Sequence, residues 1–193
     1  RKVLMQAPKN GFFYVLDRQT GKLINADAYV PLNWASHVDL ETGRPVELEG
    51  VRYEQNYKVI FPSSWGGHSW HPMSYSPLTG LVYVPLLGQP EAFANWKDFA
   101  FFENHMNLGL DDEELSHVPP EEYAEHPRIE ARISAWDPVA REEVFRIDSG
   151  SAWNAWCKTR ARPPNVPSNP QRTYKHDGWE GWGHWLGTGN TQR

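Results

Sequence analysis

The 193-residue chain has one cysteine, Cys157. That excludes an internal disulfide and any Cys-x-x-Cys-His haem attachment within this stretch. No apolar run approaches the length of a membrane-spanning helix, and no segment has the pattern of a signal peptide. A basic patch is also lacking. The formal net charge is −5, which argues against nucleic acid as a partner. An initiating methionine is absent too: Arg1-Lys2-Val3-Leu4-Met5 opens inside a strand-like run, so the sequence reads as part of something longer. Its length suits one domain or a portion of a larger one.

What is present is a series of short apolar runs separated by turn chemistry. VLMQA, FFYVLD and KLINA are divided by Pro8-Lys9-Asn10-Gly11 and by Arg18-Gln19-Thr20-Gly21. Asn-Gly between apolar runs marks a hairpin, because both residues tolerate a positive φ. The spacing predicts a three-stranded antiparallel meander. Its second turn recurs. Asp17-Arg18-Gln19-Thr20-Gly21-Lys22 is matched by Ser76-Pro77-Leu78-Thr79-Gly80-Leu81 and by Asp137-Pro138-Val139-Ala140-Arg141-Glu142. Each copy follows an aromatic-rich strand and precedes another apolar one, at intervals of about 60 residues. Strand meanders repeating at such a period predict the blades of a β-propeller carrying loop insertions.

Residues 88 to 128 read as a surface insertion with one short helix, whose acidic run Asp111-Asp112-Glu113-Glu114 forms a solvated face. It lacks the central glycine of an EF-type calcium loop. From about Trp156 the chain is rich in Pro, Arg, Gly, Asn and Trp without apolar periodicity, so residues 156–193 are expected to form an irregular tail distinct from residues 1–155. An out-of-frame end is the alternative reading of that tail.

The segment WGGHSWHPMSYSPLTGLVYVP, residues 65 to 85, combines a predicted hairpin with a lead-in of two glycines, two histidines and an indole. His68 and His71 lack a third neighbouring ligand and read as hydrogen-bonding residues at a strand end rather than as a metal site. Asp17 and Asp137 stand at the start of tight turns, where a carboxylate caps backbone N–H groups. On pattern alone, Lys9 is an exposed residue of the Asn-Gly hairpin.

Together VLMQAPKNGFFYVLDRQTGKLI, WGGHSWHPMSYSPLTGLVYVP and ISAWDPVAREEVFRI resemble the quinoprotein alcohol dehydrogenases that use pyrroloquinoline quinone (PQQ). The last stretch is similar to the tryptophan-docking repeat of that family, with Ala135 and Asp137 matching, Arg141 in place of glycine and Phe145 in place of tryptophan. The likeness covers about residues 1 to 155.

The resemblance implies an all-β fold, part of an eight-bladed propeller of four-stranded antiparallel blades with PQQ on its axis. It assigns cofactor contacts to Lys9, Ser69 and Trp70. Lys9 would stabilise negative charge on the quinone oxygens, and Ser69 stands where asparagine is usual. It assigns no catalytic residue to this chain, because the family's aspartate base, calcium ligands and vicinal disulfide lie upstream of the Ala-Pro-Lys-Asn-Gly stretch. The fragment is therefore expected to be inactive alone, contributing one wall of the site. Periplasmic location and transfer of electrons from an alcohol to a cytochrome c or a quinone are also implied. The alternative is a non-catalytic propeller that binds carbohydrate or protein through exposed aromatics.

Overall fold

The computed structural model describes residues 1–124 and 130–149, all within one compact unit. The tail beginning at residue 156, with Cys157, lies outside the described residues.

Strands β1 (Val3–Gln6), β2 (Phe12–Asp17) and β3 (Leu23–Ala28) form a three-stranded sheet in the order β1-β2-β3. Both pairings are antiparallel, with Val3 opposite Asp17 and Phe12 opposite Ala28. This is the predicted meander. A small hairpin follows, β4 (Ala35–Val38) with β5 (Pro45–Glu47), then β6 (Lys58–Ile60), β7 (Ser74–Tyr75), β8 (Val82–Gly88) and β9 (Glu91–Phe93). Helices α1 (Asp112–Ser116) and α2 (Pro120–Ala124) precede β10 (Glu130–Asp137) and β11 (Glu142–Asp148).

Strands β7, β8, β10 and β11 make one four-stranded antiparallel sheet in chain order, the form of a complete propeller blade. The segment between β8 and β10 is an insertion into that blade. It also carries β9, which pairs back onto β6 and ties the insertion to the body. The acidic run helps to hold this region together. Asp111 caps α1 by accepting from the Glu114 N–H at 3.0 Å, and Glu114 accepts the Tyr57 N–H at 2.7 Å.

The repeated turn is confirmed, and its meaning is refined. Gly21, Gly80 and Arg141 all have φ in the left-handed region, at 73°, 74° and 68°. In each copy the N–H at this position donates to the carbonyl four residues earlier at 2.8 Å. A further copy runs from Asp39 to Gly43, with φ 71° and the same 2.8 Å bond. The Gly80 and Arg141 copies lie in one sheet, so the interval between them spans an insertion within a blade. The turn recurs because an aspartate or serine at its start satisfies the N–H groups two or three residues on. Asp17, Asp39 and Asp137 each accept two such bonds, between 2.7 and 3.1 Å. These carboxylates are turn caps, as the sequence predicts for Asp17 and Asp137.

The core lies between the two larger sheets. Phe13 and Val15 of β2 meet Val82, Val84 and Leu86 of β8, with Trp136 of β10 against Phe13 at a ring separation of 5.7 Å. The opposite face of β2 is covered as well: Phe12 packs with Ala35 and Val38 of the small hairpin. Burying each such phenylalanine stabilises the fold by about 1.5–3 kcal/mol. Because β2 is buried on both faces, the turn at its start is held firmly in place. A second link between the sheets runs near the surface, where the Arg141 guanidinium grips Asp27 of β3 at 2.9–3.0 Å through Nε.

Candidate functional site

Two segments meet at the entrance to β2. One is the turn Ala7–Gly11 before it; the other is the lead-in Ser63–His71 before β7. The two segments approach closely enough that their contact needs glycine. A Cβ at Gly66 would lie 2.5 Å from the Lys9 Cα, and one at Gly67 would lie 2.8 Å from Val30 and 3.1 Å from Tyr29. Gly66 also has φ 82°, a conformation costly for any side-chain-bearing residue. The glycines therefore admit the stem of Lys9 and the ring of Tyr29, and this answers why a hairpin is introduced by Gly66-Gly67.

Five consecutive carbonyls of the turn are taken by donors from elsewhere in the chain. The Ala7 oxygen faces His68 Nδ1 at 2.6 Å. Pro8 accepts from the Tyr29 hydroxyl at 2.6 Å. Lys9 accepts from the Gly67 N–H at 3.1 Å, Asn10 from Trp34 Nε1 at 3.2 Å, and Gly11 from the Tyr29 N–H at 3.0 Å. The lead-in is anchored in turn to the blade, since the Leu87 N–H donates to the Gly67 carbonyl at 2.8 Å and the Ser63 N–H to that of Gln89 at 2.9 Å.

His68 is only 3% exposed. Its Nε2 lies 2.8 Å from the His71 carbonyl, so both ring nitrogens face oxygens that only accept. A neutral imidazole can donate to one of them and an imidazolium to both. Burial holds the ring below the ordinary histidine range, with the two carbonyls acting against it. His71, buried and beside His68, is pushed down to about 4. The two rings are 6.4 Å apart, and among the described residues no group of three or more His, Cys, Asp or Glu could hold a metal ion. Tyr29 is buried, and the loss of hydration pushes its phenol well above the usual tyrosine range; the His68 N–H donates to its oxygen. The hydroxyl thus donates to one segment and accepts from the other.

The structure puts the three residues named from the sequence around this junction. Lys9 lies against Gly66, with its ammonium donating to the Ser64 carbonyl at 2.9 Å. Ser69 and Trp70 occupy the short loop that the His68 ring closes onto His71. The Trp70 indole is 55% exposed and stacks on the His71 ring at 4.5 Å. An ammonium, a hydroxyl and a flat indole face therefore stand on two joined segments. Such a set suits a planar ring carrying anionic oxygens. Tyr29 was not legible as part of this junction. The available signal was a buried polar cluster beside two glycines that have no room for a side chain.

The antiparallel four-stranded blade, its tight packing against a second sheet and this junction define a partial β-propeller. Comparison with known proteins names the type. The chain is 45% identical to quinohemoprotein alcohol dehydrogenase ADH IIB of Pseudomonas putida, over 80% of this chain and 21% of that protein. It is 39% identical to the 1-butanol dehydrogenase (cytochrome c) of Thauera butanivorans over 80% of this chain and 22% of that one. The crystal structure of quinohemoprotein alcohol dehydrogenase from Comamonas testosteroni superimposes with a TM-score of 0.65 at 36% identity, covering 77% of this chain and 22% of that one. No family model matches. The chain is a homologue of the quinoprotein alcohol dehydrogenases and spans about a fifth of the length of the relatives it matches.

Proposed function

We propose that this chain forms one wall of the cofactor site in a PQQ-dependent alcohol dehydrogenase, with Lys9, Ser69 and Trp70 facing the quinone. The observation that carries the reading is the locked junction of the Lys9 turn with the Gly66–Trp70 segment, in a chain homologous to quinohemoprotein enzymes. When bound, PQQ supplies the electron sink that accepts a hydride from an alcohol. The contribution of this chain is electrostatic. Lys9 holds a positive charge and hydrogen-bond donors where the quinone oxygens become electron-rich, and a charge fixed in advance there needs no reorganisation during the reaction. Trp70 offers a planar face for the ring, and Ser69 offers a short donor and acceptor.

An aspartate base and the ligands of a calcium ion would complete this reading, and the resemblance implies that both are supplied from outside this chain. The acceptor is a cytochrome c or a quinone, and the compartment is the periplasm, as the resemblance implies. No helix among the described residues is long and apolar enough to cross a membrane.

Lys9→Met keeps the stem that packs on Gly66 and removes the charge. In the full-length parent that contains this chain, supplied with PQQ and calcium, dye-linked alcohol oxidation should fall about 100-fold or more, the scale for losing one preorganised donor. Unchanged turnover with the quinone bound would remove Lys9 from the site. A tryptophan fluorescence response to sugars and none to the quinone would favour a carbohydrate-binding propeller instead.

A further inference from the structure

Within the junction, one side chain reaches both of its halves. We propose that His68 is the positioning residue of the cofactor wall: its ring spans from the turn that carries Lys9, at Nδ1, to the loop that carries Ser69 and Trp70, at Nε2, and its N–H is shared between the two carbonyls, the neutral ring donating to one at a time. This inference rests on the reading of the wall given above.

The argument is geometric. Ala7 is two residues before Lys9, and its carbonyl meets Nδ1 at 2.6 Å. His71 is the residue after Trp70, and its carbonyl meets Nε2 at 2.8 Å. The ring thus closes a four-residue loop onto itself on one side and clamps a segment 61 residues away in sequence on the other. Its backbone is held as well, because its N–H donates to the Tyr29 oxygen and its neighbour Gly67 donates to Lys9. With the ring 3% exposed, water cannot replace either contact without opening the packing. A histidine serving only to fill the core would need neither bond. Its two ring nitrogens point along different directions, and these lead to the two groups of residues assigned to the quinone.

Two amide side chains separate the contacts. Asparagine places its N–H₂ close to the position of Nδ1, and glutamine places it close to that of Nε2. His68→Asn should therefore preserve the clamp on Ala7 and release the loop, His68→Gln should do the reverse, and His68→Ala should lose both. The clamp is read without any cofactor, as hydrogen exchange at the Gly67 amide, which donates to Lys9. Exchange there should accelerate about fivefold to tenfold in the Gln and Ala variants, the scale of one lost hydrogen bond, and stay near the parent rate in the Asn variant. The loop is read as affinity for PQQ, which should weaken in the Asn and Ala variants by a similar factor. The Gln variant should instead lose turnover while retaining affinity.

Equal behaviour of the Asn and Gln variants, or Gly67 exchange in folded His68→Ala matching the parent, would overturn the positioning role. If the unaltered full-length parent binds no PQQ, the functional reading falls, and the exchange pattern alone then decides whether His68 fixes the Lys9 turn.

Discussion

The molecule contains two kinds of tight turn. Those at Asp17, Asp39, Ser76 and Asp137 are built from within: the first residue supplies the side-chain acceptor, the last supplies the positive φ, and the bonds span two to five residues. The turn from Ala7 to Gly11 is built mostly from outside, by His68, Tyr29, Gly67 and Trp34. A self-contained turn needs only to reverse the chain and can recur wherever two strands must be joined. A turn whose carbonyls are all engaged by remote donors is being held in one position, and the side chain at its centre is held with it. That difference separates Lys9 from the other exposed basic residues among those described.

The comparison can be broken most severely at Gly66. Gly66→Ala sets a Cβ 2.5 Å from the Lys9 backbone at a φ of 82°. It should destabilise the fold by about 2–4 kcal/mol, adding overpacking to a left-handed penalty. Gly80→Ala, at a similar φ but with nothing within 4 Å, should cost only about 1–2 kcal/mol. Equal losses in chemical denaturation would mean that the junction is not tightly packed.

Tyr29→Phe removes one oxygen and leaves the Pro8 carbonyl and the His68 N–H short of a partner. A loss of about 1–3 kcal/mol is expected, read as a lower denaturation midpoint with an unchanged slope. The self-contained turns should tolerate more. Asp39→Ala removes two exposed caps, to Glu41 and Thr42, and should lower the denaturation midpoint less than any of the other substitutions.

Acid should separate the two kinds of turn without mutation. In the junction, burial and then the nearby His68 lower His71 to about 4, below its unfolded value near 6.5. Stability from keeping that ring neutral is fully present above about pH 6.5 and is lost as pH falls toward 4. At the Asp17 turn, the hydrogen bond from Arg1, then the Gln19 and Thr20 N–H groups, hold the carboxyl at about 2. Its contribution is present above about pH 4 and lost only as pH falls toward 2. In denaturation series against pH, His71→Gln should reduce the slope of the upper window, where the buried His68 also contributes, and leave the lower one. An unaltered upper window would assign it to other groups.

The same distinction explains what the sequence revealed. The reversals at Gly21 and Gly80 are legible because those turns carry their own instructions; Asn10-Gly11 marks a reversal between β1 and β2, while the bonds that hold that turn come from elsewhere. The Asp39–Gly43 copy is not legible in the same way. Its flanking strands, ASHV and PVE, are too short to show an alternation, although its turn bonds match the others. Pairing of β6 with β9 is illegible, since nothing local in KVI or EAF specifies a partner across the intervening β7-β8 hairpin. Pattern alone makes Lys9 an ordinary hairpin residue, and only the family likeness points to a role for it. The bonds that hold its turn come from residues 29, 34, 67 and 68, and no local window contains them. The sequence marks His68 as a hydrogen-bonding residue, and the fold supplies its two partners, Ala7 and His71.

With the main chain at residue 9 tethered on every side, reach becomes a property of the side chain alone. The cationic nitrogen travels on a four-carbon arm from an immobile post, so the arm's length sets the arc it can sweep. Any ring it serves must sit on that arc, and a bulkier or shorter cation would have to find its own place for the same charge.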